Sequence, residues 1–269
     1  MNYLLIDAFA TQPFTGNPAA VVLLDRELDD ATRQSIAMEF NQAETAYIRP
    51  MPDGRWDLRW FTPLREVPLC GHATLASAHA IWREWKLQPM TEPIRFVTRD
   101  SGALVCSPAP RHRIAMSFPA TPPLPVPLPA NAAEVLRVAG PVVCVGSTAM
   151  NLTLALSDEA QVRAAKPDLR TLSTWHATGV TITARSADGE FDFVSRFFAP
   201  QSGIDEDPVT GSAYCSLAVY WSELLGKTDF RARQLSPRGG ELGVSLRADR
   251  VELRGSAITT MRGALGSAT

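Results

Sequence analysis

Cysteine is scarce in this chain: four residues in 269, at Cys70, Cys106, Cys144 and Cys215, with no CxxC pair among them. Such wide spacing excludes a disulfide-stapled scaffold and points to free thiols in a reducing, cytoplasmic setting. Histidine is equally sparse, with His72, His79, His112 and His176 showing no ligand spacing to Cys or Glu, so no metal is expected. No apolar run approaches the roughly 18 residues of a membrane span. The opening "MNYLLIDAFATQPF" carries no basic leader and is interrupted by Asp7, so a signal peptide is not expected. Net charge is -2 with no basic stripe, which argues against nucleic acid or an acidic membrane as partner. A glycine-rich phosphate loop is also missing, because "RGGELG" at 238–243 lacks the Lys-Ser/Thr that should follow. What remains is 45% hydrophobic content, enough for one large domain or two small ones.

Proline marks the division. Residues 119–129, "PATPPLPVPLP", hold six prolines and read as a stiff, extended linker between an N-terminal lobe (1–118) and a C-terminal lobe (130–256). A C-terminal strand near 257–266 is free to return to the first lobe. Before the linker, short β-like runs ("YLLIDAF", "AAVVLL", "AYIRP", "LRWFTP", "IRFVT", "ALVC", "RIAMSF") interleave with helices over 29–40 and 73–86. The first helix opens on Asp29-Asp30, a capping signature. After the linker the order recurs: "PVVCVG", "LTLAL", a polar stretch near 157–168, "VTITA", "DFVSRFF", a helix over 212–225, "GVSLRA" and "RVELRG". The class is α+β.

The recurrence holds in register. Arg59-Trp60-Phe61-Thr62-Pro63 aligns with Arg196-Phe197-Phe198-Ala199-Pro200 at an offset of 137. "AETAYI" from Ala43 aligns with "ATGVTI" from Ala177 at 134, and Trp82 with Trp221 at 139. Two similar lobes with a cleft between them follow as an expectation. Each lobe has a helix of small residues, opening on Gly71-His72 in the first and Gly211-Ser212 in the second. A helix mouth offers about four unpaired N–H groups and about half a positive charge. Glycine lets a ligand approach that backbone closely. Two such mouths on one cleft would hold a carboxylate or a developing enolate; ordinary capping by Thr74 and Ser212 is the alternative.

Function shows where the halves differ. Glu44 in "AETAYI" faces Thr178 in the second half. A carboxylate partly buried near anion-binding mouths would have a raised pKa suited to proton transfer. Pro208 forces Asp207 out of helical geometry and aims it from the loop. One lobe thus offers Glu44 and His72, the other Asp207 and Ser212. Asn17 in "TGNP" is a candidate for a substrate carboxylate or a plain turn residue. Gly239 and Gly240 are candidates for a substrate-contacting turn. Arg59 and Arg196 read as duplicated strand-end salt bridges rather than anion clamps. A racemase with a thiol at each mouth would pair Cys70 with residue 207, 208 or 209, which are Asp207, Pro208 and Val209. Cys215 lies a turn inside its helix, so one carboxylate stands as the leading acid/base.

Taken together, "FTGNPAAVV", "AETAYI", "RWFTP", "EVPLCGHATLA", "SRFFAP", "EDPVTGSA" and "RGGELGVSL" make the whole chain resemble the phenazine-biosynthesis PhzF-like family, near the branch of animal MAWD-binding proteins. The resemblance implies the diaminopimelate epimerase-like fold, with two pseudo-symmetric lobes, each a central helix wrapped by a mixed β-sheet. It implies a cofactor-independent isomerase, often homodimeric, acting on a small anionic metabolite. In the characterised phenazine enzyme a glutamate shuttles a proton on trans-2,3-dihydro-3-hydroxyanthranilate; by motif that residue is Glu44 here. His72, Asp207 and Ser212 would assist it, with Gly71 as the backbone donor beside His72; the helix-mouth reading adds Gly211 as a second donor. "NQAETA" departs from the commoner "LSETA", and the substrate does not carry over. A non-catalytic ligand- or protein-binding relative is the rival reading.

Overall fold

A computed structural model describes residues 1–149 and 151–266. The architecture is α+β, and the chain forms two compact units. One comprises residues 1–117 and the C-terminal segment from Arg254; the other is Phe118–Leu253. The proline-rich stretch lies against the second unit. Three of its residues tie it down: Ala120 donates to the Asp249 carbonyl at 2.8 Å, Thr121 to the Cys215 carbonyl at 3.1 Å, and Leu124 exchanges two 2.8 Å bonds with Ser147.

The first unit begins with β1 (Asn2–Ala8), β2 (Asn17–Leu23), α1 (Asp30–Phe40), β3 (Glu44–Pro50), β4 (Trp56–Phe61), β5 (Glu66–Val67) and α2 (Gly71–His79). It continues through a π turn (Ala80–Glu84) into β6 (Ile94–Val97), β7 (Ala103–Ala109) and β8 (Arg113–Pro119). Strand β2 pairs antiparallel with β1 and parallel with β3, and β4 pairs antiparallel with β3 and parallel with β6. Helix α1 starts where Asp29 accepts the Thr32 N–H at 2.7 Å and ends at left-handed Asn41. It covers Val22, Tyr47 and Phe61. Helix α2 packs on β1, β2 and β3. Ala73, Ala76 and Ala78 are buried in it, and small side chains are what let a helix approach a sheet on several sides. Thr74 and Ser77 dispose of their hydroxyls inside the helix, donating to Cys70 and Ala73 carbonyls four residues back.

The second unit repeats this plan with α3 (Ala132–Leu136), β9 (Val142–Ser147), β10 (Asn151–Leu156), α4 (Glu159–Ala164), α5 (Leu169–Leu172), β11 (Gly179–Arg185), β12 (Phe193–Ala199) and β13 (Ile204–Asp207). Helix α6 (Gly211–Leu225), β14 (Asp229–Gln234) and β15 (Gly240–Arg247) complete it. Strand β10 pairs antiparallel with β9 and parallel with β11; β12 pairs antiparallel with β11 and parallel with β14. These are the pairings of the first unit, strand for strand. The duplicated arginines confirm the register. Arg59 makes two 2.7 Å bonds to Glu66, and Arg196 bonds of 2.7 and 2.8 Å to Glu206. Each guanidinium also lies over the phenylalanine two residues on, Phe61 or Phe198. They are duplicated ion pairs to the neighbouring strand, as the sequence suggested, although each arginine lies within its strand and not at its end. After β16 (Arg250–Gly255), β17 (Ala257–Ala264) returns to the first unit and pairs antiparallel with β1.

Candidate active site

Three segments of the first unit meet at the start of α2. Ala19 of β2 is the register partner of Glu44, the first residue of β3. Cys70 is the N-cap of α2, extended at φ -143, and no side chain caps the helix there. His72 Nε2 lies 3.2 Å from Glu44 Oε2, and His72 Nδ1 lies 3.5 Å from Cys70 Sγ. His72 is 6% exposed, and burial drives its pKa down to about 3, with a hydrogen bond to the Pro18 carbonyl acting weakly the other way. The imidazole is therefore neutral at ordinary pH, and its approach to Glu44 is that of a neutral ring to a carboxyl group. Glu44, Cys70 and His72 offer donor atoms that all lie within 4.8 Å of one another, the set among the described residues able to converge on a divalent cation. A cation there would need the thiol deprotonated and ligands beyond these three.

A glycine makes this corner possible. Gly16 has φ +67, and a Cβ there would stand 2.2 Å from the Ala8 carbonyl oxygen. The loop before it is held by Asp7, 2% exposed, whose carboxylate accepts the Phe14 N–H at 2.7 Å. Asn17 then enters β2 fully buried, opposite Ala8. It is a strand residue and not the turn residue weighed above.

In the second unit the corresponding mouth is built around a residue the sequence reading passed over. Gln234, fully buried at the end of β14, accepts the Thr210 N–H at 3.0 Å and donates to the Asp207 carbonyl at 2.7 Å. Thr210 is the N-cap of α6, and its hydroxyl donates to the Asp207 carboxylate. Asp207 is extended as the last residue of β13, as the following Pro208 requires. Ser236 donates to the Pro208 carbonyl at 2.9 Å and accepts the Gly239 N–H at 3.0 Å. Gly239 turns at φ +66, and Gly240 pairs with Gln234. Asp207, Gly239 and Gly240 thus share one hydrogen-bonded loop, while Ser212 stands exposed two residues into the cap.

Neither Thr74 nor Ser212 caps its helix; the N-caps are Cys70 and Thr210, and neither α2 nor α6 has a side-chain cap bond. That alignment also corrects the register at this point. Three extra residues between Pro200 and Glu206, where the chain makes the 3-10 turn Pro200–Ser202, shift the offset to 140, so the counterpart of Cys70 is Thr210 and not residue 207, 208 or 209. A thiol at one mouth corresponds to a hydroxyl at the matching position of the other, which removes the paired-thiol arrangement. Gln234 had a signal in the sequence: in "DFRARQ" it occupies the inward phase set by Phe230 and Ala232.

The profile of the phenazine biosynthesis-like protein family matches residues 6–263. The chain is 45% identical over 266 residues to a Pseudomonas aeruginosa protein named an uncharacterized isomerase, covering 98% of this chain and 97% of that one. It resembles the crystal structure of an Enterococcus faecalis phenazine biosynthesis protein of the PhzF family, with TM-score 0.89, 36% identity and 97% of both chains covered. A likeness of fold alone, at TM-score 0.61 and 10% identity over 98% of this chain and 91% of the other, extends to a hydroxyproline epimerase from Agrobacterium vitis.

Proposed function

Because the chain belongs to the phenazine biosynthesis-like protein family, we propose that it is an isomerase that moves a proton on a small carboxylate-bearing substrate, with Glu44 as the acid/base. The observation that carries this reading is the Glu44 carboxyl group 3.2 Å from a buried, neutral imidazole, at a helix mouth with no side-chain cap. Glu44 takes a proton from a substrate carbon and returns it to a different carbon of the conjugated system. A neutral His72, its one N–H given to the Pro18 carbonyl, can accept one hydrogen bond from the reacting group without adding charge. N–H groups at Gly71 hold the oxygen on which negative charge grows, because a helix N-terminus favours an anion. The reaction is a proton transfer and calls on no electron acceptor.

Asp207 and Ser212 are assigned to bind the substrate's polar groups, with Gly211 as a second backbone donor. The support is their position at the matching mouth of α6, together with the Gln234 network that fixes Thr210 and Asp207. Asn17, Gly239 and Gly240 are placed with the substrate-binding groups. We expect a homodimer, which light scattering after size exclusion will report.

The test is exchange of solvent deuterium into candidate carboxylates, followed by mass spectrometry. General acid–base groups contribute roughly 10²–10⁴-fold, so Glu44→Gln is expected to lose at least about 10²-fold of the turnover found. Near-normal exchange in that variant would overturn the assignment. Candidates are found by thermal shift of the wild-type protein against a panel of small organic acids.

A further inference from the structure

The far end of the central helix carries a feature that the proton-transfer reading does not use. After α2, the π turn Ala80–Glu84 closes with the Trp85 N–H on the Ala80 carbonyl and the Leu87 N–H on the Ile81 carbonyl, both at 2.9 Å. Lys86 stops the helix in the left-handed conformation, φ +51. A groove of about 500 Å³ opens beside this stop, lined by the polar or charged Trp82, Arg83, Lys86 and Gln88 and by the apolar Leu87, Pro89 and Met90. That is within the size range of small-molecule sites, roughly 300–1,000 Å³.

We propose that this groove binds a small organic carboxylate, its anionic end on Arg83 and Lys86 and its apolar body against Leu87 and Met90. The polar lining has donors to spare and no acid. Trp82 Nε1 and Arg83 Nη2 are buried without a hydrogen-bond partner among the described residues, and Trp82 is 4% exposed. Gln88 cannot serve them. Its Oε1 accepts the Trp56 indole N–H at 3.2 Å and its amide donates to the Pro93 carbonyl at 3.0 Å. Glu84, the nearest acid in sequence, is engaged by Arg262 and His79.

Buried donors of this kind are rare in native proteins and indicate an absent acceptor. Leaving one unpaired is costly, more so where the group is charged. The negative end of the helix dipole opposes an anion here only weakly. A charge-assisted bond to the half-buried Arg83 guanidinium outweighs that. The apolar wall selects an acid with a hydrocarbon body over a bare ion. Arg83 follows His72 by eleven residues, about 16 Å along a helix axis, so the groove is separate from the Glu44–His72 pair.

The probe is benzoate, read by the methyl signals of ¹³C-methionine-labelled protein, with Met90 assigned through Met90→Leu. Saturable movement of the Met90 signal is expected, at least tenfold weaker with the neutral analogue benzamide and at least tenfold weaker in Arg83→Gln. Lys86→Asn, which tolerates the left-handed backbone at an exposed position, is expected to weaken it severalfold, and Glu44→Gln to leave it unchanged. The other methionine signals report that each variant is folded. An unmoved Met90 signal, equal binding of benzamide, indifference to both groove variants, or loss of binding in Glu44→Gln would each overturn the proposal.

Discussion

Mild acid is expected to destabilise the first unit, through two histidines that lie within one helix. His72 and His79 are each 6% exposed. Burial lowers their pKa values from 6.5 to about 3 and about 4. For His79 the nearby Glu84, 3.6 Å away, offsets part of the desolvation. The sign follows from proton uptake. The unfolded chain binds a proton at each histidine once pH falls through about 6.5, while the native state binds none until about 4 or 3. Stability is therefore full above 6.5 and falls at about 1.4 kcal/mol per pH unit per histidine below it. At pH 5, about 1.5 units below the unfolded value, each histidine has removed about 2 kcal/mol and the pair about 4 kcal/mol. Carboxylates with lowered pKa, such as Glu27 and Glu66, act in the same direction but only as pH drops below their ordinary 4.5. The interval from 6.5 to 5 thus belongs to the histidines. Urea unfolding followed by circular dichroism at pH 7.5 and pH 5.0 measures the loss. The double variant His72→Asn/His79→Asn starts less stable but is expected to lose under about 1 kcal/mol across the same interval. Parallel losses in the two proteins would refute the account, because they would mean that these rings are already charged or already wet in the native state.

Two substitutions test the corners that hold the site. Gly16→Ala must place a Cβ 2.2 Å from the Ala8 carbonyl at φ +67, and is expected to cost more than about 3 kcal/mol in urea unfolding. Gly54→Ala, at φ +80 with open space around it, is expected to cost only about 1–2 kcal/mol; equal costs would mean the loop before β2 yields. Gln234→Leu leaves the Thr210 N–H and the Asp207 carbonyl without their partner, and is expected to lose about 2–4 kcal/mol and to raise amide exchange at the start of α6. Unchanged exchange there would show that Gln234 does not set the loop.

Much of this protein could be read from the order of its residues. Strands with a run or alternation of apolar residues, such as β2 "NPAAVVL" and β11 "GVTITAR", carry their own signal. The short strands Glu66–Val67 and Ile204–Asp207 carry none, and they exist because β4 and β12 offer an open edge. The helix mouths at Gly71 and Gly211 were legible as places, and Glu44 as the acid that breaks the repeat. The capping pair was not: Cys70 and Thr210 became counterparts only once the extra turn at Pro200–Ser202 was placed. The helix expected over 73–86 begins two residues earlier and passes into a π turn at Ala80.

The sequence by itself determined the doubled plan, the α+β class and the residue types at each helix mouth, because periodicity and backbone preference act over a few neighbours. Folding decided the rest. His72 touches Glu44 and the Pro18 carbonyl across 28 and 54 positions of chain, and its neutrality comes from the water those segments exclude. Gln234 reaches Thr210 across 24, and Trp82 and the Arg83 Nη2 lose their solvent to packing around the π turn. Desolvation is a property of the surroundings that tertiary contacts create, so no local stretch of sequence can encode it alone.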